Sequence, residues 1–358
     1  MYFRGNSDAI KEQKIVSEKV HNTFLNNLQE HIIENNIKDV GISLHGGEPL
    51  IIGKEYFEKI VLDLRLLCVK LNIPLRLKLQ TNGILLDREW LELFIEYDVI
   101  FGISLDGPKE INDIFRKDFS EKGTFEKVIN AIELVKEYES LNRDIPFGGI
   151  IAVINPKTDP KEFFDFFFQT INVKYINILL PDCDHDSYEK YNDFSLEELE
   201  QYLIELFEIW YNRRNEITIP FFNNIIKSIL GYNSSIEDLG MTLSKTIVIT
   251  TNGRIEPHDV LRINDFKNGS EGINVFGNKL SDVLDNAKYN SANNFDHLNN
   301  KNVRCSSCPV KSICGGGFIG HRFSKEKLYL NHSVYCDALF GLISHIYFKI
   351  RIDLFKAS

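Results

Sequence analysis

The chain has 358 residues, and its acidic side chains outnumber its basic ones, 51 to 41, for a net charge of −10. That balance argues against nucleic acid as a main partner. No run of about 18 apolar residues is present, which excludes a helical membrane span, and Met1-Tyr2-Phe3-Arg4-Gly5-Asn6 has no apolar signal core. The expected compartment is therefore the cytoplasm, where clustered cysteines suit a metal better than disulfides.

Apolar residues recur at helical spacing from Ala9 to about Asn36, with Ser7-Asp8 as the expected cap. Strand-like and helix-like segments then alternate. Strands are expected at Val40–Leu44, Leu75–Leu79, Val99–Leu105, Phe147–Ile154 and Tyr175–Leu180. The helices between them are expected at Lys54–Leu71, Asp87–Tyr97, Thr124–Tyr138 and Asp159–Thr170, the last with a phenylalanine run expected in the core. Such alternation predicts a parallel α/β sheet or (β/α) barrel, whose functional rim lies just past the strand ends. The pattern then breaks into helices at Ser195–Asn212 and Phe221–Leu230, and a hairpin of Thr246–Thr250 and Arg254–Glu256 turning at Asn252-Gly253. A polar, asparagine-rich stretch (264–302) contains one short expected helix at Leu280–Ala287, and a final helix is expected at Tyr335–Phe355.

Four of the six cysteines, Cys305, Cys308, Cys314 and Cys336, fall at spacing C-x2-C-x5-C-x21-C. Four thiolates so placed can converge on one metal centre. Zinc and an iron–sulfur cluster are both open on spacing alone, with a disulfide pair a third reading. Of the other two, Cys68 lies on the apolar pattern of a helix and reads as core, and Cys183 follows a strand at the rim.

Three stretches end successive strands: His45-Gly46-Gly47-Glu48-Pro49, Gln80-Thr81-Asn82-Gly83 and Ser104-Leu105-Asp106-Gly107-Pro108. Glycines let backbone approach a ligand, and a glutamate there can pair with a ligand ammonium. Alone, Gly-Gly-Glu-Pro could be a plain strand-to-helix turn. Together with Cys305-Ser306-Ser307-Cys308-Pro309 and Cys314-Gly315-Gly316-Gly317, the set resembles the radical S-adenosylmethionine enzymes with a C-terminal SPASM domain. The closing Cys314-Gly315-Gly316-Gly317, His321-Arg322 and Asn331-His332-Ser333-Val334-Tyr335-Cys336 look like the cyclophane-forming peptide maturases of that group, and Thr251 to Arg262 resembles their hairpin.

That resemblance implies a partial (β/α)6 barrel over residues 1–215, a bridging region over 216–300 and a SPASM-type domain over 301–358. It implies that Gly46, Gly47 and Glu48 hold the amino group of S-adenosylmethionine, with Ser104 at its carboxylate or ribose and Arg116 on its carboxylate. Gln80 and Asn82 would line the same pocket or serve as turn formers. Cys305, Cys308, Cys314 and Cys336 would ligate one auxiliary [4Fe–4S] cluster. His258, Asp259, His321 and Arg322 are candidates near the substrate, although loop polar residues of this kind more often cap and turn.

Two departures stand out. The family's C-x3-C-x2-C motif for the catalytic cluster is absent, and Met1 to Ser7 matches text that follows its third cysteine. The expectation is an N-terminally truncated barrel without its first strand, inactive as it stands, the catalytic [4Fe–4S] cluster belonging to a longer chain. Secondly, there is no cysteine between 184 and 304, and Phe318 stands where a second auxiliary cluster would need a ligand.

The expected activity of the complete enzyme is radical hydrogen abstraction from a ribosomally made precursor peptide followed by crosslinking. A flavodoxin or ferredoxin would donate electrons. Two alternatives are a sulfatase-maturation type of oxidation to formylglycine, against which the His321-Arg322 segment speaks, and a non-catalytic protein that binds a peptide partner.

Overall fold

Ser17 sets the start of the first helix, α1 (Glu18–Glu34), because its side chain accepts the Val20 N–H at 3.3 Å. The expected start at Ala9 is thereby corrected: Gln13 to Ser17 are not helical, and residues 9–12 lie outside what is described. The structure is a computed structural model that describes residues 13–236, 238–241, 246–256, 273–284 and 295–357.

Five strands follow: β1 (Val40–Leu44), β2 (Leu75–Thr81), β3 (Val99–Ser104), β4 (Phe147–Val153) and β5 (Ile176–Leu179). They form one sheet in the order β1-β2-β3-β4-β5, and β1 to β4 pair in parallel. Val40 lies beside Leu75, and Leu77 beside Val99. The sheet does not close into a barrel among the described residues. Sequence order equals sheet order because every connection carries a helix long enough for a parallel crossover.

The crossovers are α2 (Lys54–Lys70), α3 (Arg88–Glu96), α4 (Lys109–Phe115) and α5 (Phe125–Ser140), then α6 (Pro160–Asp165), which continues as a π turn over Phe166–Thr170. Asp87 caps α3 by accepting the Trp90 N–H at 2.9 Å. Phe57 and Trp90 meet edge to face at 5.1 Å, and Phe94 lies 4.8 Å from Phe101 on the central strand. Burying each such side chain contributes about 1.5–3 kcal/mol. The phenylalanine run is in the core, as expected: Phe163, Phe164, Phe167 and Phe168 are all buried. Phe166, in the π turn, is half-buried.

Beyond β5 come α7 (Tyr188–Tyr191), α8 (Leu196–Tyr211) and α9 (Pro220–Ile229). Ser195 and Glu198 close a capping box at the start of α8. A hairpin of β6 (Val248–Ile249) and β7 (Ile255–Glu256) is antiparallel, as expected. Then follow α10 (Leu280–Leu284), α11 (Phe295–Lys301), α12 (Val303–Ser306), α13 (Lys311–Cys314) and α14 (Cys336–Ala357). Helix α14 packs on α8, and its Leu339, Leu342, Ile343 and Ile346 are buried. Glu208 of α8 takes both His345 and Lys349 of α14 at 2.7 Å. No helix among the described residues is long and apolar enough to cross a membrane.

Contacts divide the chain into two units. The first holds the described residues of Met1–Ala152, Ile247–Asp259 and Lys267–Asp285, and the second those of Val153–Thr246, Val260–Phe266 and Asn286–Ser358.

Candidate functional site

In the first unit, the ends of β1 and β2 are tied together by Glu48. The residue is extended and caps a short 3-10 turn (Pro49–Ile52), its Oε1 accepting the Leu50 N–H at 3.1 Å. The same oxygen accepts the Thr81 hydroxyl at 2.7 Å, and Oε2 accepts the Asn82 N–H at 2.8 Å. Burial pushes the Glu48 carboxyl above the usual carboxylate range, and these hydrogen bonds oppose the shift. Gly46 and Gly47 are exposed beside it, and Gly46 has φ +148°, a conformation open to glycine.

Gln80 and Ser104 meet across β2 and β3, the amide donating to the hydroxyl at 2.9 Å. Gly102 is what makes room, since a side chain there would overlap the Gln80 amide oxygen. Asn82 accepts the Ile84 N–H at 2.9 Å, the turn-forming role the sequence left open for it. Arg116 forks onto Asp106, with Nε on Oδ2 and Nη2 on Oδ1, both at 2.7 Å. Asp106 is buried and Arg116 half-buried. The guanidinium expected on a ligand carboxylate thus has an internal carboxylate on two of its donors. Asp106 and Thr81 stand in the rim motifs, and their roles emerge only from these contacts.

In the second unit, Cys305, Cys308, Cys314 and Cys336 line one pocket, together with Arg304, Lys311 and His332. Asn302 caps α12 by accepting the Cys305 N–H at 3.0 Å. Cys314 ends α13, which starts at Lys311. Gly315 follows in the left-handed conformation, φ +66°, and a Cβ there would overlap the Gly240 carbonyl. Gly317 faces Ser333, whose Cβ would lie 2.9 Å from an added Cβ. The triple glycine therefore serves close packing around Cys314. Cys336 opens α14.

All four thiols are free, so the disulfide reading is not realised here. Burial pushes Cys305 up, Cys336 up to about 11 and Cys314 up to about 12. Such thiols ionise when a metal takes the proton's place. Among the described residues, no three His, Cys, Asp or Glu side chains converge tightly enough for a single ion. Four thiols lining one pocket have the donor chemistry of a thiolate-held metal centre, an iron–sulfur cluster or zinc. No residue of this sequence is assigned to a catalytic cluster, since it holds no C-x3-C-x2-C.

His321 and Arg322 are buried, and burial drops His321 to about 3. The His321 ring stands edge-on to Tyr335 at 4.9 Å, and its Nε2 lies 3.9 Å from Asp182. Arg322 donates to the carbonyls of Tyr329 and Asn331 and to Asn299. Asn299, fully buried, also donates to the Gly315 carbonyl at 2.9 Å. Sequence reasoning missed it because one asparagine in an asparagine-rich stretch carries no distinguishing signal. His258 and Asp259 lie outside the described residues. Cys68 is buried, as is Cys183, whose Sγ lies 3.0 Å from the Tyr335 hydroxyl.

The family model described as the radical SAM superfamily matches residues 18–167. The chain carries a radical SAM domain over those residues. A cysteine-type anaerobic sulfatase-maturating enzyme of Clostridium perfringens is 26% identical over 330 residues, 87% of this chain and 84% of that protein. A serine-type counterpart from Bacteroides thetaiotaomicron is 22% identical, over 90% of this chain and 79% of that protein. Among solved structures, native anSMEcpe with bound AdoMet superimposes with a TM-score of 0.83 at 25% identity, covering 100% of this chain and 95% of that one. Streptococcus suis SuiB bound to precursor peptide SuiA gives 0.56 at 16% identity, covering 88% and 69%, a likeness of fold alone.

These relatives correct the expected activity. Sulfatase-maturating enzymes match most of the chain in sequence and structure, so the cyclophane-type crosslinking reading is overturned. The segment weighed against the sulfatase-type alternative, His321-Arg322, is interior: the two side chains are 4% and 0% exposed.

Proposed function

We propose that this chain belongs to an enzyme of sulfatase-maturation type, which oxidises a cysteine or serine side chain of a peptide to formylglycine. The observation that carries this reading is the likeness to a cysteine-type sulfatase-maturating enzyme over 87% of the chain, joined to a TM-score of 0.83 with native anSMEcpe. A solved anSMEcpe structure that also holds a Cp18Cys peptide supports a peptide as the substrate.

Within this reading, Glu48 presents a carboxylate at the strand ends to the amino group of S-adenosylmethionine, while Gly46 and Gly47 let the ligand approach the backbone. Gln80 and Ser104 border the same rim, and Arg116 keeps Nη1 beyond the two donors it gives Asp106. Bound there, S-adenosylmethionine supplies the hydrogen-abstracting chemistry of the family once an electron is delivered. Cys305, Cys308, Cys314 and Cys336 would hold one auxiliary [4Fe–4S] cluster, which would supply electron-accepting or peptide-anchoring chemistry there. A flavodoxin- or ferredoxin-like donor and a reducing cytoplasm suit such thiolate-held iron.

The test uses the product of the complete reading frame, reconstituted anaerobically with iron and sulfide. It is incubated with S-adenosylmethionine, a reductant, and cysteine- or serine-bearing peptides patterned on a sulfatase's target segment. Mass spectrometry and hydrazide capture should find an aldehyde. Cleavage of S-adenosylmethionine with a crosslinked product, or with no aldehyde, contradicts the proposal.

A further inference from the structure

Arg322 is 0% exposed, yet none of its hydrogen-bond partners is an anion. Nε donates to the carbonyls of Tyr329 and Asn331 at 3.2 and 2.8 Å, and Nη1 donates to the Asn299 amide oxygen at 2.7 Å. Nη2 is buried and has no partner among the described residues. A buried guanidinium whose hydrogen-bond partners are all neutral is costly, and evolved interiors pair such charges. Its Nη1 lies directly behind Gly316, which lines the same pocket as Cys305, Cys308, Cys314 and Cys336. The surroundings also hold the guanidinium in place. A side chain at Gly316 would overlap Nη1 and approach the Asn299 oxygen to 2.6 Å, so glycine there keeps the space. Asn331 closes the fold around it by donating to the Arg322 carbonyl at 2.9 Å.

We propose that Arg322 is the built-in counter-cation of the centre held by Cys305, Cys308, Cys314 and Cys336, set behind the Gly316 wall of its pocket. Four thiolates around a [4Fe–4S]2+ core carry a net charge of about −2, and one buried positive charge beside them offsets part of it. Cluster potential follows net charge, hydrogen bonds to sulfur and solvent exposure. A cation at this position favours the reduced, more negative state and raises the midpoint potential. This inference rests on the auxiliary-cluster reading above and adds the residue that tunes the cluster.

The experiment compares the full chain, R322K and R322Q after anaerobic reconstitution with iron and sulfide. It reads iron content, circular dichroism and, by dye-mediated titration with electron paramagnetic resonance, the midpoint potential. R322Q should keep the fold, and its cluster should titrate at a lower potential; R322K should return most of the shift. If R322Q sheds its iron while R322K retains it, the charge requirement stands. An R322Q cluster with unchanged potential overturns the proposal, as does equal iron loss from folded R322K and R322Q. Absence of iron from the wild-type chain removes the auxiliary-cluster reading itself, and is thereby told apart from failure of Arg322's role.

Discussion

Glu48 and Asn82 are joined by a 2.8 Å hydrogen bond from backbone N–H to carboxylate, which pins the end of β1 to the end of β2. The same carboxylate takes Thr81 and Leu50, so its orientation is decided before any ligand arrives. Replacing Glu48 by Gln should weaken S-adenosylmethionine binding about 10- to 100-fold, the worth of a charge-assisted hydrogen bond of about 1.5–3 kcal/mol. Equilibrium dialysis at fixed salt would measure it, and equal affinity in the variant would remove Glu48 from the ligand's amino group.

The pH dependence of that site has a defined sign. Burial raises the Glu48 carboxyl in the folded chain. An ammonium ligand needs the ionised form, so affinity should rise with pH through a window above the usual carboxylate range, and Glu48→Gln should flatten it. Stability runs the other way. The burial cost is absent below the unfolded carboxyl's value, where both states are protonated, and fully present above the raised folded value. Wild type should therefore lose stability relative to Glu48→Gln as pH climbs through that window, in urea unfolding curves.

The Asp106–Arg116 pair should behave as a buried ion pair, with side chains 3% and 15% exposed. Arg116→Ala takes the guanidinium away from a buried carboxylate and should cost up to about 3–5 kcal/mol in chemical denaturation. Combining it with Asp106→Asn should recover part of the loss. Additive losses in the double variant would mean that the two residues are not coupled.

Much of the sheet is legible because its strands are short apolar runs closed by Gly, Asn, Asp or Pro, and the structure keeps Val40–Leu44 unchanged and the others within two residues. The start of α1 is less legible, since the apolar repeat runs on upstream and only the Ser17 hydrogen bond decides the boundary. Helix α4 was missed because Lys109–Phe115 is short and begins behind Pro108, in a stretch that reads as a turn. At the rim, Glu48 is visible in the motif, but its ties to Thr81 and Asn82 depend on strand register, which no local pattern encodes. The subgroup was misread for a related reason: the cysteine and glycine spacing is a packing requirement around Cys314, and it does not encode what the substrate becomes.

Cys68 and Cys183 should be inert in the folded protein. Both are buried, and burial raises both thiols, Cys183 to about 11. At pH 8 neither should react with a small alkylating agent until denaturant is added, as peptide mass mapping would show. Rapid native labelling of Cys183 would contradict its placement against Tyr335 and Asn192.

Gly315→Ala should be severe for its size. The added methyl meets the Gly240 carbonyl and forces a left-handed alanine, so a loss of at least about 2 kcal/mol is expected, together with reduced metal loading at Cys314. A melting curve and iron content indistinguishable from wild type would show that Gly240 and Gly315 are not packed as described.

One measurement bears most directly on the four-cysteine centre: iron, sulfide and zinc analysis with an absorption spectrum, made anaerobically on this chain and on a Cys308→Ala, Cys314→Ala variant. The predicted result is about four irons and four sulfides per wild-type chain, lost in the variant. Zinc bound without iron in the wild type would contradict the cluster and leave the four thiols a structural site.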